Sequence, residues 1–72
     1  MQTEVLGTPV AVLVQEHGGF TRAARDAGID DAVLYRAMHG QANPSYATRL
    51  KLARAFRCRV DEVSYPADME RS

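Results

Sequence analysis

The amino-acid sequence predicts one small all-α domain with four or five short helices. Its 72 residues are enough for a single domain. Apolar side chains recur every three or four residues, as on one face of a helix, and glycine or proline interrupts them at short intervals. No stretch alternates apolar and polar residues as a half-buried strand does. We assign residues 1–65 to the domain and residues 66–72 to a polar C-terminal tail that we expect to be mobile.

The first helix is expected to begin at Thr8-Pro9. Threonine is a good N-cap, and proline is favoured at the first helical position because its missing N–H would have no partner there. Apolar residues continue at helical spacing as far as His17, and Gly18-Gly19 predicts the end of the helix.

The second helix is expected between a Thr21 cap and Gly28, since glycine readily adopts the left-handed conformation that ends many helices. Its inner positions are small residues, namely Ala23, Ala24 and Ala27. Alanine side chains let another helix approach closely.

The third helix is expected from an Asp30 cap to His39, with Ile29 packing on Leu34 across the cap. Gly40 predicts its end. Helical spacing places one set of residues inward: Val33, Leu34, Ala37 and Met38. It places another set outward: Asp31, Ala32, Tyr35, Arg36 and His39.

The fourth helix is expected from a Ser45 cap to about Phe56, after the loop 41–44. Its predicted buried stripe consists of Tyr46, Leu50, Ala53 and Phe56. A last helical turn is expected at residues 60–63.

Charge is concentrated in the middle of the chain although the formal net charge is zero. Residues 1–31 carry −3, residues 32–60 carry +6 without any acid, and residues 61–72 carry −3. A basic centre between acidic ends is one form that a phosphate-binding surface takes. The alternative is a basic helix that is simply solvated.

Composition and spacing argue against several classes of protein. Cys58 is the single cysteine, which favours a reducing, cytoplasmic setting and excludes a cysteine-rich zinc site. His17 and His39 lack partners at metal-ligand spacing. No apolar run reaches the roughly 18–20 residues of a membrane span, and we expect no signal peptide. No nucleophile–base constellation or phosphate-binding loop is present, so we expect no enzyme activity, cofactor, metal or small-molecule ligand.

The link between the second and third helices carries the functional signal. Only Gly28, Ile29 and Asp30 join them, and a short turn containing glycine is typical of the helix-turn-helix, here about residues 21–39. In DNA-binding versions the second helix of the motif lies in the major groove, and its N-terminal residues face base edges.

The sequence around this turn resembles a known family. The run AARDAGI (residues 23–29) is similar to the helix-two signature of the phage-repressor, or Xre/Cro-like, helix-turn-helix proteins. The match continues in register through residues 34–56, with Leu34-Tyr35-Arg36, Gly40 and Asn43-Pro44-Ser45. The string GIDDAVLYRAMHGQANPSYATRLKLARAF is particularly similar to the HigA-like addiction-module antidotes.

The resemblance implies a lambda-repressor-like domain that binds a palindromic operator as a homodimer and represses transcription, often of its own gene. The family's base-reading positions fall on Asp31, Ala32, Tyr35 and Arg36. Its backbone-contact positions fall on Arg22, Gln41, Asn43 and Ser45, and we add His39 from the same face. The dimer contact often involves the region after helix four, which here offers Phe56, Val60, Val63 and Tyr65.

Several features leave alternatives open. Asp30 and Asp31 stand where the family often has neutral or basic residues, and Arg57 stands where it usually has glycine. Arg36 either contacts DNA or is solvated. Tyr35 either contacts a thymine methyl group or a phosphate, or packs partly against helix two. The alternative function is an antitoxin that acts mainly by binding a toxin protein, which the acidic pair and the zero net charge favour.

Overall fold

The computed structural model describes residues 7–69 and is mostly helical, which confirms the predicted class. The elements follow in this order: β1 (Thr8–Pro9), α1 (Val10–His17), α2 (Phe20–Ala27), α3 (Asp31–Met38), α4 (Tyr46–Phe56), a 3-10 helix (Val60–Glu62), β2 (Val63–Ser64) and α5 (Pro66–Met69). The first six residues of the predicted domain and residues 70–72 of the predicted tail lie outside the described range.

A two-stranded parallel sheet joins the two ends of the fold, which the sequence did not predict. Thr8 of β1 pairs with Val63 of β2, and Pro9 pairs with Ser64. Two-residue strands are too short to show an alternating pattern, and this is why the strands escaped prediction. Gly7 is required beside them, because it has φ +87° and a Cβ there would lie 2.8 Å from the Glu62 carbonyl oxygen.

Two helix starts differ from the prediction by one or two residues. Pro9 has the extended angles φ −56° and ψ 139° and takes the N-cap position, so α1 begins at Val10. Thr21 is inside α2, which begins at Phe20 because the Gly19 carbonyl already accepts from the Ala23 N–H at 3.0 Å. Glycine and proline offer no side-chain oxygen, so neither helix has a side-chain cap.

Two other predicted caps occupy their predicted places. Asp30 is at the N-cap of α3, although its carboxylate makes no capping hydrogen bond. Ser45 caps α4, because its Oγ accepts from the Thr48 N–H at 3.3 Å.

The core forms around α2. Its predicted inner alanines are buried, with Ala23 and Ala24 at 0% exposure, and α4 packs closely against them. Leu34 and Ala37 of α3 are also buried, as predicted. The remaining buried apolar residues come from the other elements: Val10, Val14, Leu52, Ala53, Val63 and Tyr65.

The predicted stripe of α4 is partly wrong. Tyr46 is 68% exposed and Leu50 is only half buried, whereas Leu52 and Ala53 form the inner face. Successive residues are about 100° apart on the helical wheel, so the buried face is centred between Leu52 and Ala53, and Tyr46 and Leu50 lie to one side of it. The apolar spacing admitted both phases, and packing against α2 selected this one.

The predicted mobile tail is partly structured. Residues 66–69 form α5, which packs against α3, and Asp68 forms an ion pair with Arg49 at 2.9 Å. The preceding Tyr65 is fully buried. The domain therefore extends past the predicted boundary at residue 65, because a charged pair and a buried aromatic ring hold this segment.

Candidate nucleic-acid interface

The turn between α2 and α3 is short and closely hydrogen-bonded. Gly28 adopts the left-handed conformation, with φ 74° and ψ 34°, and its N–H donates to the Arg25 carbonyl at 3.1 Å. The Ile29 N–H donates to the Ala24 carbonyl at 3.1 Å. These bonds satisfy the last carbonyl groups of α2 and allow the chain to begin α3 three residues later.

The outer face of α3 carries the four predicted base-reading residues. Asp31, Ala32, Tyr35 and Arg36 are all exposed. The spacings from 31 to 35 and from 32 to 36 make them neighbours on one helix face. Leu34 lies on the inner face and is fully buried, so α3 presents these four side chains from a fixed position.

The Tyr35 ring lies on the surface. It is 49% exposed and stacks on the His39 ring with 4.2 Å between the centroids. It also lines a pocket with Phe20 of α2, so its lower edge approaches that helix. The ring lines this pocket beside α2 and leaves half of its surface accessible, so a contact with DNA stays a prediction.

The loop after α3 presents the other predicted contact residues. His39, Gln41, Asn43 and Ser45 are exposed. The Gln41 N–H donates to the Arg36 carbonyl at 2.9 Å, which fixes the start of the loop against the end of α3. Ser45 uses its hydroxyl within the α4 cap, where Oγ also donates to Thr48 Oγ1 at 3.2 Å.

Arg49 organises this loop from α4. Its Nη2 donates to Asn43 Oδ1 at 2.7 Å, and its Nε donates to the Pro44 carbonyl at 3.1 Å. Since Arg49 takes up the Asn43 oxygen, the NH₂ group of Asn43 is left to donate elsewhere. The same guanidinium lies 4.6 Å above the Tyr65 ring. Hydrogen bonding to Asp68 raises the pKa of Arg49.

The basic residues between positions 32 and 60 do not form one continuous surface. Arg36 lies on the exposed face of α3, whereas Arg49 is held by Asp68. Lys51 and Arg54 line a separate groove beside the C-terminal end of α2. The sequence pattern grouped these side chains by position in the chain, and the fold separates them.

Arg22 and His17 lie near the start of α2 and at the end of α1, and their contacts differ. Arg22 is exposed near the start of α2, and its side chain passes over Gly18, where a Cβ would lie 2.9 Å from Arg22 Cδ. His17 Nε2 is 2.7 Å from Asp26 Oδ2, and its ring meets the Phe56 ring edge-on with 5.6 Å between centroids. The hydrogen bond with His17 lowers the pKa of Asp26. His17 is therefore engaged in contacts that join α1 to α2 and α4.

Two of the four residues predicted to form the dimer contact are buried within the protomer. Val63 is 4% exposed and Tyr65 is 0% exposed, because both pack into the protomer's own core. Phe56 and Val60 are half buried and keep some accessible surface. The sequence shows that a residue is apolar, but it does not show which surface covers it.

The surroundings of Cys58 do not favour a reactive thiol. Burial and the nearby Glu62 raise the pKa of the Cys58 thiol, so the reactive thiolate is disfavoured. Within residues 7–69, no group of three His, Cys, Asp or Glu side chains could hold a metal ion. Over the same range, the helices are too short or too polar to cross a membrane.

The comparisons with known proteins give no relatives. No family model matches the chain, and neither the curated proteins nor the solved structures include a significant match.

Proposed function

We propose that the protein is a sequence-specific DNA-binding regulator of transcription. In this proposal α3 lies in the major groove of double-stranded DNA, and two copies bind an inverted-repeat operator as a repressor that can act on its own gene. The observation that carries the proposal is the α2–turn–α3 unit. Its second helix is anchored by buried Leu34 and exposes Asp31, Ala32, Tyr35 and Arg36 on one face.

The loop and the start of α4 are suited to the DNA backbone. Exposed Gln41 and Asn43 offer hydrogen-bond donors, and Arg22 offers a charge from α2. The first turn of α4 contains no acidic residue, so its N–H groups and the helix dipole favour an anion. Contacts of this kind set the register of a protein on DNA, whereas base contacts give the specificity.

The acidic residues at the start of α3 fit this arrangement. Asp30 occupies the N-cap position, and Asp31 is in the first turn, where the helix dipole stabilises a carboxylate. An aspartate facing the major groove can accept from the exocyclic amino group of a base. The same carboxylates repel phosphate, so they favour specific over non-specific binding.

Selection of bound DNA from a random duplex pool tests the proposal, followed by a salt titration on the selected sequence. We expect an inverted repeat with half-sites about 34 Å apart and an affinity that falls steeply with salt. Recovery of a single, non-repeated site would remove the dimer from the proposal. The absence of any enrichment at moderate salt would overturn DNA binding as the function.

A second candidate is an antitoxin that acts mainly by binding a toxin protein in the cytoplasm of a bacterial cell. Arg49 is paired with Asp68 and so offers little free positive charge to DNA. Together with the zero net charge, this pairing favours the antitoxin. A neighbouring toxin-like reading frame and formation of a stoichiometric complex with its product would support this function. If the protein forms this complex but binds no operator, toxin binding would be its main function.

A further inference from the structure

An open pocket lies between the start of α2 and the exposed face of α3. Its volume is about 360 Å³. The residues that line it are Phe20, Asp31, Ala32, Tyr35, Arg36 and Gln41. Phe20 is half buried and packs against the core, so the pocket has an apolar wall on the α2 side. Ala32 and the Tyr35 ring extend that apolar surface. The polar side chains of Asp31, Arg36 and Gln41 form the rest of the lining.

We propose that this pocket binds the C5 methyl group of a thymine in the major groove, and that Phe20 is a specificity-determining residue. This inference rests on the proposed function, because it needs α3 to lie in that groove. The thymine methyl is the one apolar group that the four base pairs present there. An apolar surface beside α3 is complementary to that group, whereas the other groups on a base edge are hydrogen-bond donors or acceptors.

The polar lining fits the rest of a T·A pair. Beside its methyl group, thymine presents the O4 acceptor, and adenine presents the N6 amino donor. Arg36 and Gln41 supply donors for an oxygen, and the Asp31 carboxylate supplies an acceptor for an amino group. A C·G pair lacks the methyl group, and its cytosine places an amino group where thymine has O4. Complementary hydrogen bonding therefore favours thymine over 5-methylcytosine.

Substitution of single pyrimidines in the selected operator tests the inference. In the major groove, thymine and uracil differ only in the methyl group, and so do 5-methylcytosine and cytosine; the second pair carries an amino group at C4 and pairs with guanine. Replacing thymine by uracil should weaken binding about three- to fivefold at one position in each half-site, the effect of exposing one methyl group. Cytosine should bind more weakly than 5-methylcytosine by a similar factor, and thymine should bind best.

Variants of the protein test whether the pocket causes the preference for thymine over uracil. Phe20→Ala should reduce the thymine-to-uracil ratio of affinities to about one, as in a double-mutant cycle. Because Phe20 also packs on the core, Ala32→Leu is the second variant: residue 32 is exposed, and leucine would fill the pocket without removing core contacts. Val12→Ala is the control, since it truncates an exposed apolar residue of α1 that is not in the pocket lining.

The outcomes separate the inference from the proposed function. An operator whose affinity is the same with thymine or uracil at every position would overturn the methyl pocket and leave the DNA-binding function standing. A thymine-to-uracil ratio that persists in both Phe20→Ala and Ala32→Leu would show that the methyl group binds elsewhere. Failure to select any operator would overturn both.

Discussion

Arg49 and Asp68 form a two-point ion pair that fastens α5 to the middle of the fold. Arg49 Nη1 donates to Asp68 Oδ2 at 3.0 Å, and Nη2 donates to Oδ1 at 2.9 Å. The Arg49 side chain is only 19% exposed. Because the same guanidinium also binds Asn43 and the Pro44 carbonyl, it couples the C-terminal helix to the loop that we propose to contact DNA.

Asp68→Asn should lower the free energy of unfolding by about 1 kcal/mol, since a two-point arginine–carboxylate pair exceeds an ordinary surface pair. Urea unfolding followed by circular dichroism measures this. Asp61→Asn is the matched control, because Asp61 lies 3.8 Å from Arg59 and both side chains are about 80% exposed. We expect the control to change stability by less than about 0.3 kcal/mol. Equal effects of the two substitutions would contradict a structural role for the Arg49–Asp68 pair.

The sequence predicted the elements that local patterns specify. The alanines of α2 and the serine cap of α4 follow from short-range rules, and the structure has both. Contacts between distant segments were beyond those rules. Asp68 lies 19 positions from Arg49, and β1 pairs with a strand at the other end of the domain.

The candidate interface was predicted in part for the same reason. Helical spacing placed Tyr35 and Arg36 on the outer face of α3, where they lie. Phe20 was missed because the helix was expected to begin after a Thr21 cap, so the sequence did not predict the pocket that Phe20 forms with α3. Its apolar character next to a double glycine was the only signal.

Val63→Asp should abolish cooperative folding of the protomer. Val63 is 4% exposed, and burying a carboxylate costs several kcal/mol, whereas a domain of this size has a net stability of about 3–5 kcal/mol. Thermal unfolding by circular dichroism is the measurement. Val60→Asp is the comparison, because Val60 is only half buried and its variant should remain folded. Sedimentation of Val60→Asp then shows whether that residue takes part in self-association, and a folded Val63→Asp protein would contradict the burial of β2.

Arg57→Gly should raise the free energy of unfolding by about 0.5–1 kcal/mol. Arg57 ends α4 with φ 61° and ψ 44°, a left-handed conformation that is unfavourable for residues with a Cβ. Arg54→Gly, one turn earlier in the same helix, should lower stability by about 1 kcal/mol because glycine is a poor helix former. Chemical denaturation of the two variants should therefore give shifts of opposite sign. A loss of stability in both would mean that the Arg57 side chain makes a stabilising contact.

Arg36→Ala should weaken operator binding by about 1–3 kcal/mol and relax the preference at one base pair if Arg36 donates to a base edge. Fluorescence anisotropy with the selected operator and its single-base variants gives both quantities. Arg59→Ala is the control of equal charge change, because Arg59 is exposed next to Asp61 and is not one of the proposed contact residues. A uniform fall on all sequences would identify Arg36 as a phosphate contact. Unchanged binding would exclude it from the interface.

Tyr65 makes stability sensitive to alkaline pH. Its side chain is fully buried, and burial raises the pKa of Tyr65 from 10.0 to about 12. A raised pKa means that the folded protein favours the neutral phenol, whereas the unfolded chain ionises above pH 10. The contribution to stability is therefore complete below pH 10 and is lost as the pH rises from 10 to 12.

Tyr65→Phe removes this titration and keeps the ring beneath the Arg49 guanidinium. The Tyr65 hydroxyl has no hydrogen-bond partner among residues 7–69, so its removal at pH 8 should leave stability unchanged or raise it by up to about 1 kcal/mol. Above pH 10 the variant's advantage should grow by at most about 1.4 kcal/mol per pH unit, because only the natural protein gains from ionising when it unfolds. Urea unfolding at pH 8, 10 and 11 measures the difference in the free energy of unfolding between the two proteins. The other titrating groups are common to both and cancel in this difference. A constant difference across this range would show that the Tyr65 hydroxyl titrates alike in the folded and unfolded states.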